Sequence, residues 1–153
     1  MGSAIHSIEG THILRDLSTG QCMLYLSVDV TDGNIAGREG GVYESKWQAY
    51  LMTADDPTEP WKGEGFTIKC DMDYDSEEAR DATIDVVDGV YFALYKARKT
   101  GETKVNTALA LSRNGFNWVK LGILKVDEYD QPDYFLLNGS IMAGCLGSIF
   151  HRN

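Results

Sequence analysis

Apolar and polar positions alternate through two stretches of this chain, and the two read as copies of one another. QAYLMTADDPTEPWKGEG, beginning at Gln48, and NTALALSRNGFNWVKLG, beginning at Asn106, share one plan. Each gives an alternating strand ending on a small residue (Ala54, Ser112), then a polar turn, a Trp (Trp61, Trp118) and, four residues on, a Gly (Gly65, Gly122). Alternation with period two marks a strand with one buried face. The copies are offset by 58 and 57 residues at these landmarks. A self-similar unit of about 40–50 residues made only of strands predicts a β-propeller blade rather than an ordinary sandwich.

The segments ahead of each copy support the same plan. DATIDVVDGVYFALYKARKTGE gives a strand, an Asp88-Gly89 hairpin turn and a second strand over Val90 to Ala97, rich in aromatic and β-branched residues. EGTHILRDLSTGQCMLYLSVDV repeats it with a Ser-Thr-Gly turn, and a third copy opens at PDYFLLNGS. The expected architecture is all-β: four-stranded antiparallel propeller-like blades, incomplete in one chain. One domain over residues 1–153 holds blade A at about 5–70, blade B at about 79–125 and a partial blade C at about 130–153. A chain of this size can bury close to 70% of its unfolded surface, so one core suffices.

Composition agrees. The sequence has three Pro and 16 Gly, several of the Gly in Asp-Gly or Asn-Gly pairs (Gly33, Gly89, Gly139) where turns need positive φ. Helical signals are nearly absent: DSEEARDA, Asp75 to Ala82, has the composition for one turn capped by Ser76 but is too short to stand alone, and reads as a lead-in loop to a strand. TDGNIAGREGGVYE, Thr31 to Glu44, lacks periodicity and is expected to project from the ligand-binding end.

A net charge of −9 without any Lys/Arg stripe argues against a nucleic-acid partner. Cys22, Cys70 and Cys145 are too few and scattered for a disulfide framework or zinc site, and read as reduced, buried or half-buried thiols. Neither a signal peptide nor an apolar run of about 20 residues is visible, so a soluble chain without a membrane partner is expected and a cytoplasmic location favoured. No cofactor is expected.

Three short elements carry a resemblance to the five-bladed β-propeller glycosidases, the superfamily of the invertase/fructanase and arabinanase/xylosidase enzymes. Arg80-Asp81-Ala82 is similar to the Arg-Asp-Pro element that opens their second blade. Asp130-Gln131-Pro132-Asp133-Tyr134-Phe135, 49 residues after Asp81, resembles the Glu-Cys-Pro-Asp-Leu-Phe element of the third. Glu9-Gly10-Thr11-His12-Ile13 stands where the first blade carries its acid. The resemblance implies a central funnel with one carboxylate from each of these blades.

Glu9 would then be nucleophile or base, and Asp130 the proton donor to the leaving oxygen. Asp81 would orient sugar hydroxyls and favour the protonated form of its neighbour by like-charge repulsion. Arg80 would hold a hydroxyl or pair with Asp81, His12 and Asp133 would contact substrate, and Trp47 beside the long loop would stack on a sugar ring, while Trp61 and Trp118 pack the blades. Glu9 replaces an Asp and Asp130 a Glu, each changing side-chain reach by about 1.5 Å. That matters where carboxyl groups must stand about 5–5.5 Å apart for retention or about 6.5–9.5 Å for inversion. The same residues also admit a structural reading, with Asp81 and Asp130 as turn formers before strands, Glu9 solvated and His12 hydrogen-bonded on a half-buried strand.

A closed ring of five such units takes about 290 residues, and an open stack exposes two sheet edges, so a homo-oligomer of two or three copies is expected to complete it. Three functions follow: a glycoside hydrolase or degenerate relative, a non-catalytic sugar-binding module closed by oligomerisation, or a structural protein with neither activity.

Overall fold

The computed structural model describes residues 4–16, 18–31 and 45–125. The segment with Asp130 and Asp133, residues 32–44 of the Gly-rich stretch and Cys145 lie outside the described residues. Among the described residues eight strands follow one another: β1 (Ala4–Arg15), β2 (Cys22–Thr31), β3 (Ser45–Ala54), β4 (Lys62–Ile68), β5 (Glu78–Val87), β6 (Val90–Arg98), β7 (Asn106–Ser112) and β8 (Trp118–Ile123). A short 3-10 turn, Asp73–Asp75, precedes β5. Among the described residues no helix is long and apolar enough to cross a membrane.

β1 to β4 form one antiparallel meander and β5 to β8 another, giving two four-stranded propeller blades. Among the described residues a short parallel pairing of Trp47 with Glu78 and Gln48 with Ala79 is the one ladder between them. The repeat seen in the sequence is a repeat of register. Ser112 pairs with Trp118, and Thr53 pairs with Lys62, which sets Trp61 opposite Ala54. Gly65 and Gly122 both sit at bulges, with φ of 114° and 108°, so the recurrent glycine answers a backbone that L side chains rarely adopt. The β5–β6 turn has positive φ at both Asp88 (50°) and Gly89 (73°), as a two-residue primed hairpin requires.

The core lies between the blades. Blade A contributes Met23, Tyr25, Leu51 and Ile68, and blade B contributes Ile84, Tyr91, Tyr95 and a bed of alanines at 93, 97, 108 and 110. Trp118 packs across the joint: its ring meets Tyr25 edge-on at 6.3 Å, and its Nε1 donates to Thr67 Oγ1 at 2.8 Å. Trp61 is half-buried at the matching position of blade A. Cys22 is buried and Cys70 half-buried, both as free thiols.

The connector from β4 to β5 is pinned from below. Asp75 is fully buried; its Oδ1 accepts from the Met72 amide at 3.0 Å and its Oδ2 from Tyr95 Oη at 2.9 Å and from Lys120 Nζ. Lys120, with only 5% of its side chain exposed, also donates to the Lys69 carbonyl and the Asp71 carboxylate. The connector also revises one reading of the sequence. The Asp75–Ala82 segment is not all lead-in: β5 begins at Glu78, because pairing of Glu78 with Arg98 and of Arg80 with Lys96 draws these charged residues into the sheet.

Candidate functional site

Where β1 of blade A runs beside β5 of blade B, four residues singled out in the sequence come together. Glu9 Oε2 accepts from Arg80 Nη1 at 3.0 Å, and Asp81 Oδ2 lies 3.9 Å from the same nitrogen. The two carboxylate oxygens are thus no more than about 7 Å apart, with the guanidinium between them. The Arg80 guanidinium lies over the Trp47 ring, 4.6 Å from its centroid, a cation–π arrangement that gives the indole a partner before any ligand arrives. The backbone of Trp47 is fixed in turn, since its carbonyl accepts from Cys70 Sγ at 3.2 Å. Burial, with the Asp75 charge adding to it, pushes the Cys70 thiol up to about 12, so it serves as a structural donor.

Arg80 is anchored from behind. Its Nε donates to Glu78 Oε2 at 3.0 Å, while the other oxygen of that nearly buried carboxylate accepts from Arg98 Nε at 3.0 Å. Arg98 Nη2 also pairs with Glu77 at 3.2 Å. Burial opposes the charge on Arg80, and Glu78, Asp81 and Glu9 outweigh it, so the guanidinium is held as a cation.

Asp81 is the unusual member. It is one of two described non-glycine residues with positive φ (51°), at an irregularity of β5 that breaks the pairing between Arg80 and Thr83. Left-handed backbone at a non-glycine residue costs on the order of 1 kcal/mol, least for Asp and Asn, and clusters at functional sites. Its Oδ1 accepts from Ser27 Oγ at 2.9 Å, its amide donates back to Ser27 Oγ at 2.8 Å, and Oδ2 pairs with Lys96 Nζ at 3.1 Å. An ionised carboxylate has about four acceptor sites, so hydroxyl donors still find room on Oδ2.

His12 stands elsewhere on the same seam. Half-buried on β1, it hydrogen-bonds the Ile84 backbone; burial lowers its pKa, against the opposing pull of that bond and of Asp85. Among the described residues no group of His, Cys, Asp and Glu side chains is arranged to hold a metal. Sequence reasoning missed Ser27, Glu78, Lys96 and Arg98. Lys96 and Arg98 did leave a signal, two charges at alternate positions ending an otherwise apolar strand. Ser27 left none.

No family model matches the chain, and no curated protein does. Solved structures do. Zg3597, a family 117 glycoside hydrolase from the marine bacterium Zobellia galactanivorans, superposes with a TM-score of 0.61 at 16% identity, over 85% of this chain and 43% of that one. A structure from the GH130 family of mannoside phosphorylases, which contains glycoside hydrolases that target β-1,2 mannosidic linkages in Candida mannan, gives 0.60 at 20% identity over 88% and 37%. A glycosyl hydrolase from Bacteroides ovatus gives 0.55 at 22% over 77% and 32%. The chain spans less than half the length of each. The likeness is one of fold: this chain resembles the five-bladed β-propeller glycosidases over part of their length.

Proposed function

We propose that the β1–β5 cluster is one side of a carbohydrate-binding site in a protein related to the β-propeller glycosidases. The observation that supports this is convergence: Glu9, Trp47, Arg80 and Asp81 come from three strands in two blades, and Glu9 lies 71 residues from Arg80 in the chain. Carboxylate acceptors, guanidinium donors and an aromatic face are the groups that recognise vicinal hydroxyls and the apolar side of a pyranose ring. In the hydrolase reading, Glu9 acts as base or nucleophile, Asp81 orients hydroxyls, Asp130 of the third element protonates the leaving oxygen and Asp133 contacts the substrate.

The non-catalytic reading has its own support. Arg80 spans the gap between Glu9 and Asp81, the place a reacting sugar carbon would need, so the pair as arranged is better suited to holding a ligand than to attacking it. The homo-oligomer fits with either: β8 exposes Val119, Leu121 and Ile123 on one side, an apolar surface suited to a further sheet supplied by a second copy.

A glycan array run beside a panel of chromogenic glycosides tests these readings, using the native chain and Glu9→Gln, Asp81→Asn and Asp130→Asn variants. Turnover lost in Asp130→Asn supports the hydrolase; binding without turnover, lost in Asp81→Asn, supports the binding module. Neither binding nor turnover rejects the carbohydrate reading.

A further inference from the structure

We infer that Ser27, on the second strand of blade A, is the positioning residue for the Asp81 carboxylate of blade B, with Gly10 as the gap that lets the carboxylate lie where it does. What Asp81 does to a ligand rests on the proposed function; the positioning rests on geometry alone. Ser27 is buried, and its hydroxyl is used twice on one residue: it accepts from the Asp81 amide at 2.8 Å and donates to Asp81 Oδ1 at 2.9 Å. Holding both the amide and one carboxylate oxygen fixes the left-handed backbone and the side-chain torsions together. Oδ2 is thereby turned toward Lys96, 3.1 Å away, and Arg80, 3.9 Å away.

Gly10 completes this seat from β1. A Cβ there would stand 2.5 Å from Asp81 Oδ1 and 3.2 Å from Ser27 Oγ, at a φ of +44°. Any side chain at position 10 must displace either the carboxylate or its holder. Ser27 is therefore more than a satisfied buried hydroxyl. A serine placed only for burial can use any nearby backbone group, whereas this one crosses the blade joint to a strained acid.

The test has two readouts. In the first, carbodiimide-driven amidation with glycinamide is followed by peptide mass spectrometry on the full chain, with Asp85 as internal reference. Ser27→Ala and Gly10→Ala should each raise labelling of Asp81 several-fold while labelling of Asp85 and the circular dichroism spectrum stay native, and Ser27→Thr should restore protection by returning the hydroxyl. Unchanged Asp81 labelling in Ser27→Ala overturns the inference; should that variant fail to fold, Ser27→Cys, which keeps the volume and weakens both hydrogen bonds, takes its place. In the second, affinity is measured for the tightest glycan the native chain binds on the array. Ser27→Ala should weaken it by the same factor as Asp81→Asn, with the double variant no weaker than either, the non-additivity of two residues acting as one unit. Native affinity in Ser27→Ala alongside loss in Asp81→Asn overturns positioning. Increased labelling with no glycan bound by the native chain removes the carbohydrate reading and leaves Ser27 as the holder of Asp81.

Discussion

Among the described residues Lys120 is the one cation on Asp75, and Lys120→Met keeps most of the aliphatic volume while removing that charge and its bonds to the Lys69 carbonyl and Asp71. Asp75 is fully buried, and its remaining partners, the Met72 amide and the Tyr95 hydroxyl, are neutral dipoles. Breaking a buried pair by removing one partner costs about 3–5 kcal/mol, because the other charge stays behind in a poor solvent. For a chain of this length each kcal/mol moves Tm by about 2–4 °C, so the variant should melt roughly 6–20 °C below native. Urea unfolding followed by tryptophan fluorescence gives the same quantity at constant temperature, and an unchanged m value shows that the native fold is intact. The sign of a second variant is diagnostic. Adding Asp75→Asn to Lys120→Met removes the stranded charge and should recover part of the loss. A Lys120→Met variant within 1 kcal/mol of native, or a double variant that sums the two single losses, would refute the claim that this pair pins the connector feeding Arg80 and Asp81 into β5.

Trp118→Ala should cost about 3–5 kcal/mol and reach the insoluble fraction, since the indole both packs on Tyr25 and donates to Thr67 across the joint; a soluble variant melting near native would show that the blades do not depend on it. Gly122→Ala should lose about 1–3 kcal/mol although its new Cβ meets nothing within 4 Å, separating backbone strain from packing; native-like unfolding would contradict the bulge assignment. Asp16, at the β1–β2 turn, carries an acid-side effect. Burial pushes its carboxyl up, but hydrogen bonds from Ser18, Thr19 and Tyr91 outweigh it and hold it at about 2, below the ordinary 3.8. The unfolded chain therefore binds the proton first, and this contribution is present above about pH 4 and fades as pH falls toward 2. Asp16→Asn should flatten the Tm profile over that window relative to native, and an unchanged slope would count against the turn's hydrogen bonds.

The blade plan was legible because it rests on local rules. Alternation, the Asp88-Gly89 turn and the recurrent Trp-x-x-x-Gly spacing are each dictated by backbone geometry within a few residues, and each reappears as register, primed turn or bulge. Arg80 and Asp81 were visible as a short motif, and Glu9 by its place ahead of the first blade's hairpin. What stayed hidden depends on contacts between blades. Nothing near Ser27 distinguishes it from the many serines that sit in strands, because its partner is 54 residues away and its significance comes from the left-handed φ of that partner. The start of β5 was misjudged for a related reason. Glu78 and Arg80 look like lead-in residues when their charges are weighed as solvated, and become strand residues once Arg98 is there to neutralise Glu78.

The two blades therefore share the work of the site unequally. Blade B provides the reactive-looking groups, Arg80 and Asp81, on one irregular strand; blade A provides the constraints, with Ser27 holding Asp81, Gly10 making room for it, Trp47 bracing Arg80 and Glu9 closing over it. An irregular strand alone would relax, since a left-handed Asp is unfavourable in isolation. Only docking against blade A supplies the hydroxyl and the open space that make the strained arrangement the lower in energy. The geometry of the acids is thus a property of the joint, and a substitution that loosens blade packing at Trp118 or Tyr25 must also loosen Asp81, however far it stands from any ligand.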